Sequence, residues 1–205
     1  MVGDVEAMTL RASSRRVAVL VFALVCGVIA TQARALAQKK FDLSADKGVN
    51  YQTFKDSGGR FDLEYPAKDW SELEVGGCTL VIFERNDRTA TVVVEKERLV
   101  EPLGPSEIAT NAQIEIDGLK EQQPTAKDFQ SELIDTNAGR GAVIRYARPG
   151  KKGPERVIRF SIAIGRDLYR VAAIVSERSL AKLEPTLLHI MDSFKISAAP
   201  AGAKK

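Results

Sequence analysis

The hydrophobic and polar positions alternate most cleanly in "RFDLEY", where Phe61, Leu63 and Tyr65 share one face and Arg60, Asp62 and Glu64 the other. That period of two is the pattern of a half-buried strand. Gly58-Gly59 turns the chain into it and Pro66, which cannot donate to a ladder, ends it. Val49 to Lys55 supplies an earlier short strand. "CTLVIFE" and "TATVVVEKERL" are rich in β-branched residues and are joined by the polar "RNDR", so they predict a β-hairpin. Downstream, "DFQSELIDTN", "GRGAVIRYARPG", "PERVIRFSIAIG" and "DLYRVAAIVSE" read as further strands, punctuated by glycine or proline and therefore antiparallel.

Two stretches carry the helical period instead. Ile108, Ala112, Ile116 and Leu119 form one stripe, and Pro105 or Ser106 suits the start of that helix. Leu180, Leu183, Leu187, Ile190 and Phe194 form a second stripe, which Pro185 interrupts and could restart as a first helical residue. The expected architecture is α+β: an α/β/α sandwich with a central antiparallel sheet of about six strands and two main helices.

The N-terminal pattern is different in kind. Arg11, Arg15 and Arg16 precede an apolar run, Val17 to Ala30, which is shorter than the roughly 20 residues of a spanning helix. Ala35 and Ala37 supply the small side chains of an A-x-A cleavage site, so residues 1–37 are expected to be a signal peptide cut after Ala37. An uncleaved anchor, twin-arginine export on Arg15-Arg16 and lipidation at Cys26 are the weaker alternatives. Residues 38–48 are expected to be a flexible arm, residues 49–197 the domain and residues 198–205 a disordered tail.

Charge changes the picture once the leader is set aside. The full chain has 30 basic and 27 acidic residues, and the first 37 residues hold four of the basic and two of the acidic ones. The remaining 168 residues carry a net charge of only +1, which argues against a nucleic-acid partner. They suit one domain, expected to be monomeric. The location that follows is periplasmic or extracellular.

Candidate chemistry is sparse. No nucleophile elbow, phosphate loop or zinc-binding spacing occurs, so no catalytic residue, metal or cofactor is assigned. "DLSADKG", Asp42 to Gly48, has the alternating oxygen donors of a calcium loop, but Lys47 stands where glycine belongs. His189, the one histidine, lies between Leu188 and Ile190 and reads as a partly exposed structural residue. Cys78, alone after the leader, reads as buried and inert. Asp62 and Glu64 could form an acid pair, though a solvated strand face is the plainer account. Arg140, Arg145, Arg148, Lys151, Lys152, Arg156 and Arg159 surround one hairpin. Of these, Arg145, Arg148, Lys151, Lys152 and Arg156 are the candidate docking patch for an acidic protein or membrane surface.

Several of these segments resemble the PsbP family, the extrinsic proteins of photosystem II. Phe61, Pro66 and Trp70 in "GRFDLEYPAKDW" resemble its opening strand and corner. "TLVIFERNDRTATVVVEKERLVEPLGPSEIA" looks like its valine-rich strands and the loop into a helix, with Pro105 and Ser106 exchanged. "RFSIAIGRDLYRVAAIVSE" and "SFKIS" resemble its later strands and closing helix. The resemblance implies an α/β/α sandwich shared with a Ran-binding import factor, with Phe61, Leu63, Tyr65 and Trp70 as core and corner. It also implies a non-enzymatic protein at a membrane surface. Members of the photosystem branch bind neighbouring subunits in the thylakoid lumen and help retain calcium and chloride. A histidine that the family links to metal binding appears here as Arg156, so no metal site carries over. The expected function is thus an exported accessory protein with a protein partner, photosystem II if the source is photosynthetic. The alternatives are a periplasmic envelope adaptor, or a small-molecule carrier with a sheet–helix pocket near Cys78, Asp69 and Glu72.

Overall fold

The computed structural model describes residues 39–197. The proposed leader with Ala35 and Ala37, and the tail 198–205, lie outside the described residues. No helix among the described residues is long and apolar enough to cross a membrane.

Seven strands form the main antiparallel sheet: β3 (Trp70–Glu74), β4 (Thr79–Arg85), β5 (Ala90–Arg98), β6 (Lys127–Thr136), β7 (Gly139–Gly150), β8 (Gly153–Ile164) and β9 (Asp167–Ser176). Their spatial order is β3-β4-β5-β9-β8-β7-β6. β1 (Tyr51–Lys55) and β2 (Phe61–Pro66) do not join it. With β10 (Lys195–Ile196) they make a separate three-stranded sheet, β1-β2-β10. The expected α+β architecture with a central antiparallel sheet and two main helices is present, and these three strands stand apart from that sheet. The reason lies in β2 itself: Phe61, Leu63 and Tyr65 are buried while Asp62 and Glu64 are only partly so. Its apolar face needs a cover, and it finds one on the apolar face of the main sheet rather than at the edge.

One core fills this layer. Phe61 lies within 5.3 Å of the Phe194 ring and 5.9 Å of Phe54, and Phe83, Val92, Phe160 and Val171 of the main sheet are fully buried in the same cluster. Trp70 is partly buried at its margin. Helix α2 (Leu180–Asp192) joins the layer through Leu187, Ile190 and Met191. It runs unbroken through Pro185, which therefore does not restart it. The missing N–H leaves only the Ala181 carbonyl without its usual donor, near the helix start.

Helix α1 (Ile108–Gln122) covers the opposite face of the sheet, over β6 and β7. Ala112, Ile116 and Leu119 meet Ala142, Ile144, Tyr146 and Val157, as the stripe predicted. Ser106 does not cap it: Glu107 holds the N-cap position, and its carboxylate accepts the Gly104 N–H at 2.6 Å. Glu115 anchors the helix further. Its carboxylate, 9 % exposed, lies 2.6 Å from Arg159 and 3.3 Å from Arg170, and accepts the Ser161 hydroxyl.

Residues 39–48, expected to be a flexible arm, have defined contacts instead. Phe41 is buried edge-on against Phe160, and the Lys39 carbonyl accepts the Asp135 N–H at 2.9 Å, extending the β6 edge. An apolar side chain in the arm has found core, which offsets the entropy of ordering the segment.

Candidate functional site

The strand register decides what the basic run can do. In antiparallel pairing, partners share a face. Arg148 pairs across with Glu155 and Arg156 with Ala147, so Arg148 points to the α1 side while Arg145 and Arg156 point to the α2 side. The three arginines of the proposed docking patch are thus divided between two faces. Three are also engaged. Arg145 reaches Glu184 at 2.9 Å, Arg148 reaches Glu155 at 3.0 Å, and Arg156 reaches Glu177 at 2.6 Å. Lys151 and Lys152, at the β7–β8 turn, are exposed and make no ion pair among the described residues.

The fold brings those two lysines to two cations that sequence reading missed. Arg88 sits in the β4–β5 turn and Arg178 in the short 3-10 turn after β9, and both are exposed and unpaired. Together they rim a groove of about 1010 Å³. Its floor is the α1-side surface of the sheet at Glu84, Thr91 and Ile174, and Gln122 to Thr125, at the end of α1, form one wall. Asp87 on the rim is taken by Arg85 and by the Thr89 hydroxyl and N–H. Glu155 is taken by Arg148, so Glu84 is the acid left on the floor. What joins Arg88 and Arg178 is the one end of the sheet where their turns meet, not proximity in sequence.

The other candidates are occupied or scattered. His189 presents Nδ1 to Asp46 at 3.0 Å and Nε2 to Glu64 at 2.9 Å, with its ring stacked on Tyr51 at 3.8 Å. Neither nitrogen is free to act as a base or a ligand. Glu64 is therefore a histidine partner, not half of an acid pair with Asp62. The Tyr51 hydroxyl also donates to Asp46 at 2.7 Å, and burial together with that carboxylate pushes the phenol above its usual range. Asp46 thus turns inward, and Asp42 accepts the Ser44 N–H, which dismantles the calcium-loop pattern. Among the described residues no group of three or more His, Cys, Asp or Glu side chains is arranged to hold a metal ion.

Cys78 is exposed, not buried, because Gly76-Gly77-Cys78 is the β3–β4 turn and the strand begins at Thr79. Asp69 lies at the far end of β3, and Glu72 accepts the Tyr65 hydroxyl at 2.5 Å. Burial and that carboxylate push the Tyr65 phenol up to about 12. Cys78, Asp69 and Glu72 do not converge, and none lines the groove.

No family model and no curated protein matches this chain. Solved structures do. Cyanobacterial PsbP (CyanoP) from Synechocystis sp. PCC 6803 superimposes with a TM-score of 0.57 at 14 % identity, over 73 % of this chain and 94 % of that one. The fold is PsbP-like. LpqN of Mycobacterium tuberculosis, described as involved in cell envelope biogenesis, has a TM-score of 0.52 at 13 % identity, covering 78 % and 99 %. The Ran-binding protein Mog1p of Saccharomyces cerevisiae has a TM-score of 0.51 at 14 % identity, covering 73 % and 97 %. The PsbP-like fold thus spans nearly the whole of each neighbour, and at these identities it is the fold alone that is shared.

Proposed function

We propose that this chain is an exported, non-enzymatic PsbP-like accessory protein that works by docking onto another protein. The observation that carries the reading is how its reactive groups are used. His189, Glu115, Arg159 and Arg170 are all committed to internal partners, whereas the large groove is rimmed by unpaired cations. Catalysis needs groups poised at a cleft; docking needs an accessible charged surface. Export rests on the arginines, apolar run and Ala35–Ala37 pattern of the leader. In a photosynthetic source the partner is photosystem II at the lumenal surface. In any other source it is an envelope component, a role for which LpqN offers a structural parallel.

The test is to cross-link the protein in native membranes of its source and identify what it is joined to. Recovery of one defined protein complex is the expected result. No partner, together with turnover of a small molecule by the purified protein, would overturn the proposal.

A further inference from the structure

The α1 side of the main sheet is only half covered. Helix α1 lies over β6 and β7, and among the described residues no element covers β3, β4 and β5. The register places Leu73, Ile82, Val93 and Ala172 in one continuous row across β3, β4, β5 and β9 on this open face. Their neighbours along the strands, Val81, Phe83, Val92, Val94, Val171 and Ala173, point the other way and are fully buried. Leu73 is 63 % exposed, and Ile82, Val93 and Ala172 are partly so. The next row along the same strands holds Glu84, Thr91 and Ile174, the floor of the cationic groove. Adjacent rows on one face are about 7 Å apart, within reach of one side chain.

We propose that this apolar row and the groove beside it form one docking surface for an acidic polypeptide segment that carries aliphatic side chains. This rests on the reading above that the protein acts by docking. The aliphatic side chains lie along Leu73, Ile82, Val93 and Ala172. The carboxylates turn toward Arg88, Lys151, Lys152 and Arg178.

Charge complementarity selects the occupant. Among the described residues only three arginines, Arg88, Arg166 and Arg178, lack an ion-pair partner, and two of the three rim this groove. Arg88 also holds a left-handed backbone, φ 57°, at a hairpin position where glycine would be unstrained. The shape selects a polypeptide over a bilayer. The floor is recessed behind the β4–β5 and β7–β8 turns and carries Glu84, with Glu95 one row beyond Val93. A flat anionic membrane would meet the turns and not the row. The row crosses four strands, three spacings of about 4.8 Å, which about five residues of extended chain would span.

The test uses a labelled twelve-residue peptide alternating Glu and Leu, with poly-Glu, a Lys–Leu peptide and anionic phospholipid vesicles for comparison. The Glu–Leu peptide should bind with a salt-dependent affinity at least tenfold above poly-Glu. Joint reversal of Arg88, Lys151, Lys152 and Arg178 to Glu should weaken it tenfold or more, and Leu73→Ser with Val93→Thr should weaken it at unchanged salt dependence. Arg88→Gly separates binding from folding: it should raise the unfolding midpoint while weakening the peptide. Equal binding of poly-Glu, preference for vesicles, or indifference to the reversal would each overturn the proposal. Native cross-linking of the reversed protein distinguishes the two readings. A partner joined to it as well as to the wild type would sink this surface and leave docking standing; no partner for either would sink both.

Discussion

Removing the Asp46 carboxylate should show how firmly the arm is held. The side chain is 3 % exposed, accepts from the Tyr51 hydroxyl at 2.7 Å and lies 3.0 Å from His189 Nδ1. Asp46→Ala removes that hydrogen bond and the close His189 contact, leaving the Tyr51 hydroxyl and the Nδ1 edge of His189 without the carboxylate in a partly buried site. Each orphaned group costs about 1–3 kcal/mol, and access of the His189 edge to water favours the low end. The sum is about 2–3 kcal/mol. For a domain of this size that lowers the melting midpoint by roughly 5–10 °C. Thermal and denaturant unfolding of Asp46→Ala, with Lys47→Ala as a surface control expected within about 0.5 kcal/mol, reads the effect. Trypsin should also cut faster at Lys47 in the Asp46 variant. A loss below about 0.5 kcal/mol with unchanged cleavage would refute the anchored arm and restore the loose one expected from composition.

Other predictions concern charge and exposure. Glu115→Ala should cost about 3 kcal/mol in unfolding titrations, since it leaves Arg159 and Arg170 facing each other without their shared carboxylate; a neutral result would mean that water takes its place. The Arg60 guanidinium, 2.6 Å and 2.7 Å from Asp56, holds that carboxyl below its usual range. A depressed folded-state value contributes stability that is present above about pH 4 and is lost as pH falls through it. Asp56→Asn should therefore flatten the acid limb of a stability–pH curve, and an unaltered limb would assign it to other carboxylates. Native protein should react with a thiol reagent at Cys78 as fast as unfolded protein does, and protection would contradict the exposed turn.

What was legible in the chain was whatever repeats with a period. The β2 alternation and the α1 stripe came through because each buries one face. β3 escaped because "WSELE" is an exposed edge strand with no buried residue to mark it. Cys78 departs from its expected burial because the two glycines before it make a turn, which outweighs its apolar character. The arm makes defined contacts because one buried phenylalanine and one inward aspartate outweigh a polar composition. The hairpin cations were visible as a run, but the faces they occupy depend on register and their partners on distant segments, such as Glu184 for Arg145. The groove needed residues from four separate stretches, and no local pattern announces that.

The strand order has a kinetic side. β3-β4-β5 and β6-β7-β8-β9 are two runs of sequential hairpins, each able to zip up from its own turns. One seam, β5 against β9, joins them, pairing Val93 with Ala172 across about half of the domain's length. Closing that long loop carries the largest chain-entropy cost in the sheet and returns nothing until the strands align. The seam is therefore where the folding barrier should lie. Substitutions within it should slow folding, while those in the outer hairpins should chiefly speed unfolding.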